Sequence, residues 1–172
     1  MTLQELQDKN HYSTDKGTSH SYLETYEKLF YPYKDEKINI VEVGIRGGGS
    51  LRMWEDYFSK AGILGVDITD FYMIEEYVKF KSLRVSTILK DIKEMKSSDF
   101  EGYSIAIDDG SHRIEDQLAF VKIMLPVIKG LIVVEDIQQF GYIEKFKELG
   151  ECEVIDMRNE GHHDNVLVIY RT

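Results

Sequence analysis

The chain has 172 residues, 42% of them hydrophobic and 30% charged, with a formal net charge of -10 and a pI of about 5.0. That length suits a single domain, residues 1–172, able to bury a real core. The acid surplus excludes a counterion-releasing grip on nucleic-acid backbone and adhesion to anionic membrane surfaces. A lone cysteine, Cys152, leaves no internal disulfide, and a reducing compartment, the cytoplasm by default, fits that.

The first ten residues are polar and acid-bearing, unlike a signal peptide. No apolar run approaches the ~18 residues that cross a bilayer. His11 to His20 reads as a loop. A helix is predicted over Ser21–Phe30, with Tyr22, Tyr26, Leu29 and Phe30 at helical spacing and Pro32 beyond its end. Ile38–Val43 is a β-branched strand that stops at Gly44. Ser50 is placed to cap a helix over Leu51–Ala61. Further strands are predicted at Ile63–Ile68, Leu83–Leu89, Tyr103–Ile107 and Leu131–Val134. Helices are predicted at Phe71–Phe80, Ile114–Ile128 and Gln139–Leu149. Two strands, Glu153–Met157 and Val166–Tyr170, close the chain. His162-His163-Asp164 reads as a polar turn between them, and Cys152 as a small buried residue at the start of an edge strand.

Alternating strands and helices predict a mostly parallel sheet of the α/β class, covered on both faces, with seven strands and a terminal strand pair. Ligands of such sheets sit at the carboxyl ends of the strands. Those ends carry Glu42 and Gly44, Asp67, Asp108 and Asp109, and Glu135 and Asp136. Buried strands gain nothing from acids there, so the pattern points to a polar ligand or a cation.

Glycines 44, 47, 48 and 49 let the backbone turn sharply against a ligand. The helix after them, entered at Ser50, offers free N–H groups. A dinucleotide would want glycine where Arg46 stands. S-adenosylmethionine (SAM) tolerates that change. Asp67, 23 positions after Gly44, suits the ribose hydroxyls, and Glu42 lies near the amino-acid part of such a ligand. A nucleotide-cofactor oxidoreductase on a related fold and a non-catalytic SAM-binding protein remain rival readings.

Asp109-Gly110-Ser111-His112 and Glu135-Asp136 form the second constellation. Carboxylates from two neighbouring strand ends suit a hard divalent cation, Mg²⁺ foremost. Such an ion binds a vicinal pair of oxygens and lowers the pKa of the reacting hydroxyl. His112 is placed to take that proton as general base, an imidazole having an ordinary pKa of about 6.5.

The stretches Thr14-Asp15-Lys16-Gly17-Thr18 with His20 and Tyr22, Val41-Glu42-Val43-Gly44 with Gly48 to Trp54, Gly65-Val66-Asp67, Ile107 to His112 and Val134-Glu135-Asp136 resemble the metal-dependent sugar O-methyltransferases. Those include the mycinamicin and macrocin type and their cephalosporin-hydroxylase-like relatives. The resemblance runs from about residue 11 to residue 140. It implies a Rossmann-like class I methyltransferase fold with an added N-terminal helix, and SAM as methyl donor. It also implies Mg²⁺ held by Asp109, Glu135 and Asp136, with His112 as base. Residues 1–32 would cover the cofactor region, making Lys16 and His20 further site candidates. Gly44, Arg46, Ser50, Asp67 and Asp108 complete the expected cofactor contacts. Residues 84–91 depart from the family's adenine-binding turn. The acceptor would be a sugar or glycoside, and a homo-oligomer is expected, since so short a chain has few means of walling a substrate alone.

Overall fold

The computed structural model describes residues 1–69, 80–158 and 162–172. The helix predicted over Phe71–Phe80 falls almost wholly outside them. Seven strands form one sheet: β1 (Asn39–Val43), β2 (Gly62–Asp67), β3 (Val85–Leu89), β4 (Ile105–Asp108), β5 (Leu131–Val134), β6 (Glu153–Asp156) and β7 (Val166–Arg171). Their spatial order is β3-β2-β1-β4-β5-β7-β6. β1 to β5 run parallel, whereas β7 is antiparallel to both β5 and β6.

The register aligns the strand ends. Val43 pairs with Val66 on one side and Asp108 on the other, and Asp108 pairs in turn with Val134. The residues just past these positions therefore emerge along one edge. The chain order reverses between β1 and β4, which makes that edge a topological switch point.

Side chains alternate across a strand. Ile40, Ile105, Ile107, Leu131 and Val133 face one core, shared with the N-terminal helices. Val41, Val43, Ala106, Ile132 and Val134 face the other, shared with helix Ile114–Met124. The first core holds α1 (Leu3–Asn10), α2 (Leu23–Phe30) and α3 (Gly49–Tyr57). Tyr26, Phe30, Trp54 and Phe58 pack there in tilted and edge-to-face pairs, with ring centroids 4.8–6.4 Å apart. The second holds α4 (Ile114–Met124) and the short α5 (Ile143–Lys147).

Several boundaries differ from the sequence reading. Helix α1 was read past because its residues are polar. Its signal is a capping box: the Thr2 hydroxyl accepts from Glu5 N and the Glu5 carboxylate accepts from Thr2 N, at 3.2 and 2.8 Å. Helix α3 starts at Gly49 with Gly48 as its cap, so Ser50 sits inside the first turn and does not cap it. Gly48 has φ 70, which a residue with a side chain adopts at a cost. Gln139–Leu149 is not one helix but a 3-10 turn at Phe140–Tyr142 followed by α5. Cys152 is only half-buried. Of His162-His163-Asp164, read as a polar turn, His163 and Asp164 lie in a turn just before β7, and Asp164 accepts from Gln138 Nε2 at 2.8 Å. No described helix is long and apolar enough to cross a membrane.

Gly44 is where backbone conformation is most constrained. Its φ is 94, and a Cβ there would fall on the Asp109 carbonyl of the neighbouring strand end. Gly44→Ala should therefore cost about 2–4 kcal/mol in urea unfolding. A loss below about 0.5 kcal/mol, the range of an ordinary surface change, would show that the two strand ends are not packed this closely.

Candidate active site

A cavity of about 770 Å³ opens at this edge, within the range of small-molecule sites. One wall is the glycine turn Gly44 to Arg46 with Gly49 and Ser50. A second is segment 13–19, whose Ser13 carbonyl packs where a Cβ of Gly49 would lie. Asp67 and residues 90–93 close the far end, and Asp108 to Arg113 the near one.

The Asp67 carboxylate accepts from Ile45 N at 2.8 Å and Arg46 N at 3.2 Å, so it fixes the turn as well as lining the cavity. Arg46 is in the left-handed region, φ 47, and its exposed guanidinium meets Asp15 at 3.6 Å across the mouth. Asp91 and Ile92 also line the cavity. The sequence reading missed them because residues 84–91 lack a recognisable turn signature. A short 3-10 turn capped by the Asp91 side chain, which accepts from Lys93 N at 2.9 Å, carries them instead.

Behind the near end the acids divide by face. Glu42, in phase with Ile40, and Glu135, in phase with Val133, point toward the N-terminal helices. Lys16 reaches in from segment 11–20 to meet them. Its Nζ lies 2.5 Å from Asp109 Oδ2, 2.8 Å from Glu135 Oε1 and 3.4 Å from Glu42 Oε1, with the lysine wholly buried. The Tyr26 hydroxyl donates to Glu135 Oε1 at 2.5 Å, and Trp54 Nε1 donates to Glu42 Oε2 at 2.9 Å. Asp136 has φ 55, which swings it out of strand alternation. Tyr22 donates to its Oδ1 at 2.5 Å. His20 Nδ1 stands 3.6 Å from that oxygen and His112 Nε2 3.7 Å from Oδ2. His112 is itself in the left-handed region, φ 57.

Of the expected cofactor contacts, Gly44, Arg46, Ser50, Asp67 and Asp108 line the cavity. Glu42 and Lys16 do not; they lie behind its wall, because burial on the helix face pairs them with each other. Of the expected metal set, Asp109 is shared between two groups whose ligand atoms converge within 4.8 Å, one with His112 and Asp136, the other with Glu42 and Glu135. Glu135, held by Lys16, falls in the group that lacks Asp136. The Tyr22 and Tyr26 hydroxyls were not anticipated as site groups, although their four-residue spacing, at the cap and on the buried face of α2, was legible.

The chemistry of this donor set suits a cation. Glu42, Asp108, Glu135 and Asp136 are buried, and one ammonium, Lys16, is buried with them. Burial pushes Glu42 up to about 7 in spite of Lys16, and Asp108 up to about 7 in spite of the Gly110 N–H. Burial raises Glu135 and Asp136 as well. Burial alone would lower Lys16, but Asp109, Glu135 and Glu42 hold it well above the ordinary lysine value. The carboxylates outnumber their partners, so added positive charge relieves the site.

These shifts set a pH dependence. Folded Asp108 keeps its proton to a higher pH than the unfolded chain, whose aspartates titrate near ~4. The folded state therefore binds more protons between that pH and about 7, and stability falls as pH rises through this window. Asp108→Asn should flatten part of that fall in chelator-treated protein, read by urea unfolding at pH 5 and pH 7. An unchanged slope would place its origin elsewhere.

No family model matches the chain. It is 35% identical over 141 residues to 8-demethyl-8-alpha-L-rhamnosyl tetracenomycin-C 2'-O-methyltransferase of Streptomyces olivaceus, covering 74% of this chain and 36% of that protein. It is 32% identical to demethylmacrocin O-methyltransferase of Streptomyces fradiae, covering 73% of this chain and 34% of that one. The chain thus spans about a third of the length of these curated relatives. A methyltransferase of the mycinamycin biosynthetic pathway, solved with Mg and SAH, superposes with a TM-score of 0.79 at 23% identity, over 99% of this chain and 55% of that one. Its complex with Mg, SAH and mycinamycin VI superposes with a TM-score of 0.66 at 28% identity, over 79% and 37%. The chain has the Rossmann-like class I methyltransferase fold and, over the matched stretch, is a homologue of the macrocin-, mycinamicin- and tetracenomycin-type sugar O-methyltransferases.

Proposed function

We propose that this chain transfers the methyl group of SAM to a hydroxyl of a sugar-like acceptor, assisted by a divalent cation, Mg²⁺ foremost. The observation that carries this reading is a cavity at the switch point whose near end is formed by Asp109 and His112, with buried carboxylates in excess just behind. The rhamnosyl group in the name of the tetracenomycin relative supports a glycoside as the acceptor class.

The residues divide the work. Asp67 suits the ribose hydroxyls, and Asp91 with Ile92 suits adenine, one as acceptor and the other as apolar face. Gly44, Arg46, Ser50 and Asp108 suit the amino-acid end. Asp109 and Asp136 offer oxygens to the cation, and Glu135 joins them when its carboxylate is not held by Lys16. When bound, the cation would make the acceptor hydroxyl more acidic, and the SAM sulfonium would supply the methyl group. His112 takes the hydroxyl proton at Nε2, because its Nδ1 is buried. Asp136, 3.7 Å away, then faces the imidazolium. Tyr22 keeps the Asp136 carboxylate in place by donating to its other oxygen. The cavity walls align donor and acceptor, which is where most of the acceleration arises for a leaving group as good as a sulfonium.

Methyl transfer from SAM to a panel of rhamnosides tests the reading directly. His112→Ala should lower turnover by about 10²–10⁴-fold with SAM affinity unchanged in calorimetry. Loss of SAM binding in that variant would contradict the base role. Chelation should abolish transfer and Mg²⁺ restore it; full activity in EDTA would contradict the cation.

A further inference from the structure

Segment 11–20 walls the cavity; Tyr12 anchors its start in the core, and the Lys16 ammonium anchors its middle among the acids. Thr18 N and His20 N both donate to the Asp15 carbonyl, and Tyr22 N donates to the Lys16 carbonyl. The segment is therefore a tight fold around a buried side chain. Ser13, Thr14, Asp15, Thr18 and Ser19 face the cavity from it. The ammonium at its core touches Asp109 Oδ2 and both oxygens of Glu135, at 2.5, 2.8 and 3.0 Å. Tyr26 already donates to Glu135 Oε1.

We propose that Lys16 is a tethered cation that holds the Asp109–Glu135 carboxylates in the metal-free protein and yields them when a divalent cation binds, so that metal binding loosens the wall of the cofactor cavity. This rests on the cation site proposed above. A hard divalent ion needs carboxylate oxygens at ~2.0–2.6 Å. Glu135 Oε1 already accepts from both Tyr26 and Lys16, so a cation approaching Glu135 Oε2 or Asp109 Oδ2 competes with the ammonium that lies against both of those oxygens. An ammonium beside a dication also meets strong repulsion in a buried setting. Lysine suits such an exchange, being a compact charge on a flexible four-carbon stem. Once the ammonium leaves, the middle of segment 11–20 loses its tie to the acids, while Tyr12 still holds its start. By linkage, a ligand that needs the wall open favours the metal to the same degree.

Trypsin reads this exchange on the unaltered protein. It cuts after lysine only when the side chain can leave its site, so Lys16–Gly17 is protected while the ammonium is buried. Mg²⁺ at saturation, as measured by calorimetry, should raise the initial rate of cleavage at Lys16–Gly17 about tenfold over EDTA, within the usual span of coupling between two sites. Cleavage after exposed Lys60 should not change. If Mg²⁺ binds and cleavage at Lys16–Gly17 is unchanged or slowed, the exchange is overturned and the cation site stands. If calorimetry shows no Mg²⁺ binding, the cation site falls and this inference with it.

Lys16→Met gives a second readout. In EDTA its Tm should fall by roughly 10 °C, because buried carboxylates lose their partner. Mg²⁺ should recover most of that loss, and should bind about tenfold more tightly than to the wild type, since no ammonium competes. A Tm that Mg²⁺ raises no more in the variant than in the wild type would overturn the proposal. If the variant folds only with Mg²⁺ present, the same replacement of ammonium by cation is seen more strongly.

Discussion

The contact between the Lys16 ammonium and Glu42, Asp109 and Glu135 is the constraint on which the rest of the site depends. Breaking a buried pair by removing one partner costs far more than the pair contributes, because a charge is left unsatisfied in low dielectric. Segment 11–20, helix α2 and three strand ends are all tied to this one cluster. Tyr26 of α2 donates to Glu135 and Trp54 of α3 to Glu42, so each of these helices is tied to one acid of the cluster. Their aromatic cluster is the apolar side of that arrangement, with Tyr26 in contact with both Phe30 and Trp54.

Sheet geometry decides which acid does what. Parallel strands in register bring the acids to one edge, and the two-residue period assigns Glu42 and Glu135 to the face that α2 and α3 cover. Asp136 and His112 escape the alternation through positive φ angles of 55 and 57. Such conformations cost energy in residues with side chains, and persist where the surroundings fix them. Here the Tyr22 hydroxyl and the facing imidazoles fix Asp136. The result is a division between acids that meet an internal cation and acids that remain near the cavity, with Asp109 belonging to both.

Much of this was legible in the sequence. β-branched runs ending in acids gave the strands and their common edge, and the glycine turn with Asp67 gave the cavity's main wall. The partner of each acid was not legible. Lys16 stands 93 residues from Asp109 and 119 from Glu135, and no local periodicity links them. Helix α1 was missed because a polar segment hides its two buried leucines, Leu3 and Leu6, although Thr2 and Glu5 announce its start. The start of α3 was misplaced because Gly48 caps it through a left-handed backbone, where the expected cap was the Ser50 hydroxyl. Asp91 and Ile92 escaped notice because a 3-10 turn of three residues leaves little periodicity to read.

The proposed cation site gathers the excess of buried carboxylates at this edge, with Asp109 as its shared member. A Mn²⁺ titration followed by electron paramagnetic resonance tests it most directly, since bound Mn²⁺ loses the sharp signal of the free ion. The expected result is one Mn²⁺ taken up per chain in the wild type and none at the same concentrations in Asp109→Asn, with both proteins folded by circular dichroism. Uptake by the variant equal to that of the wild type, or no uptake by either, would contradict it.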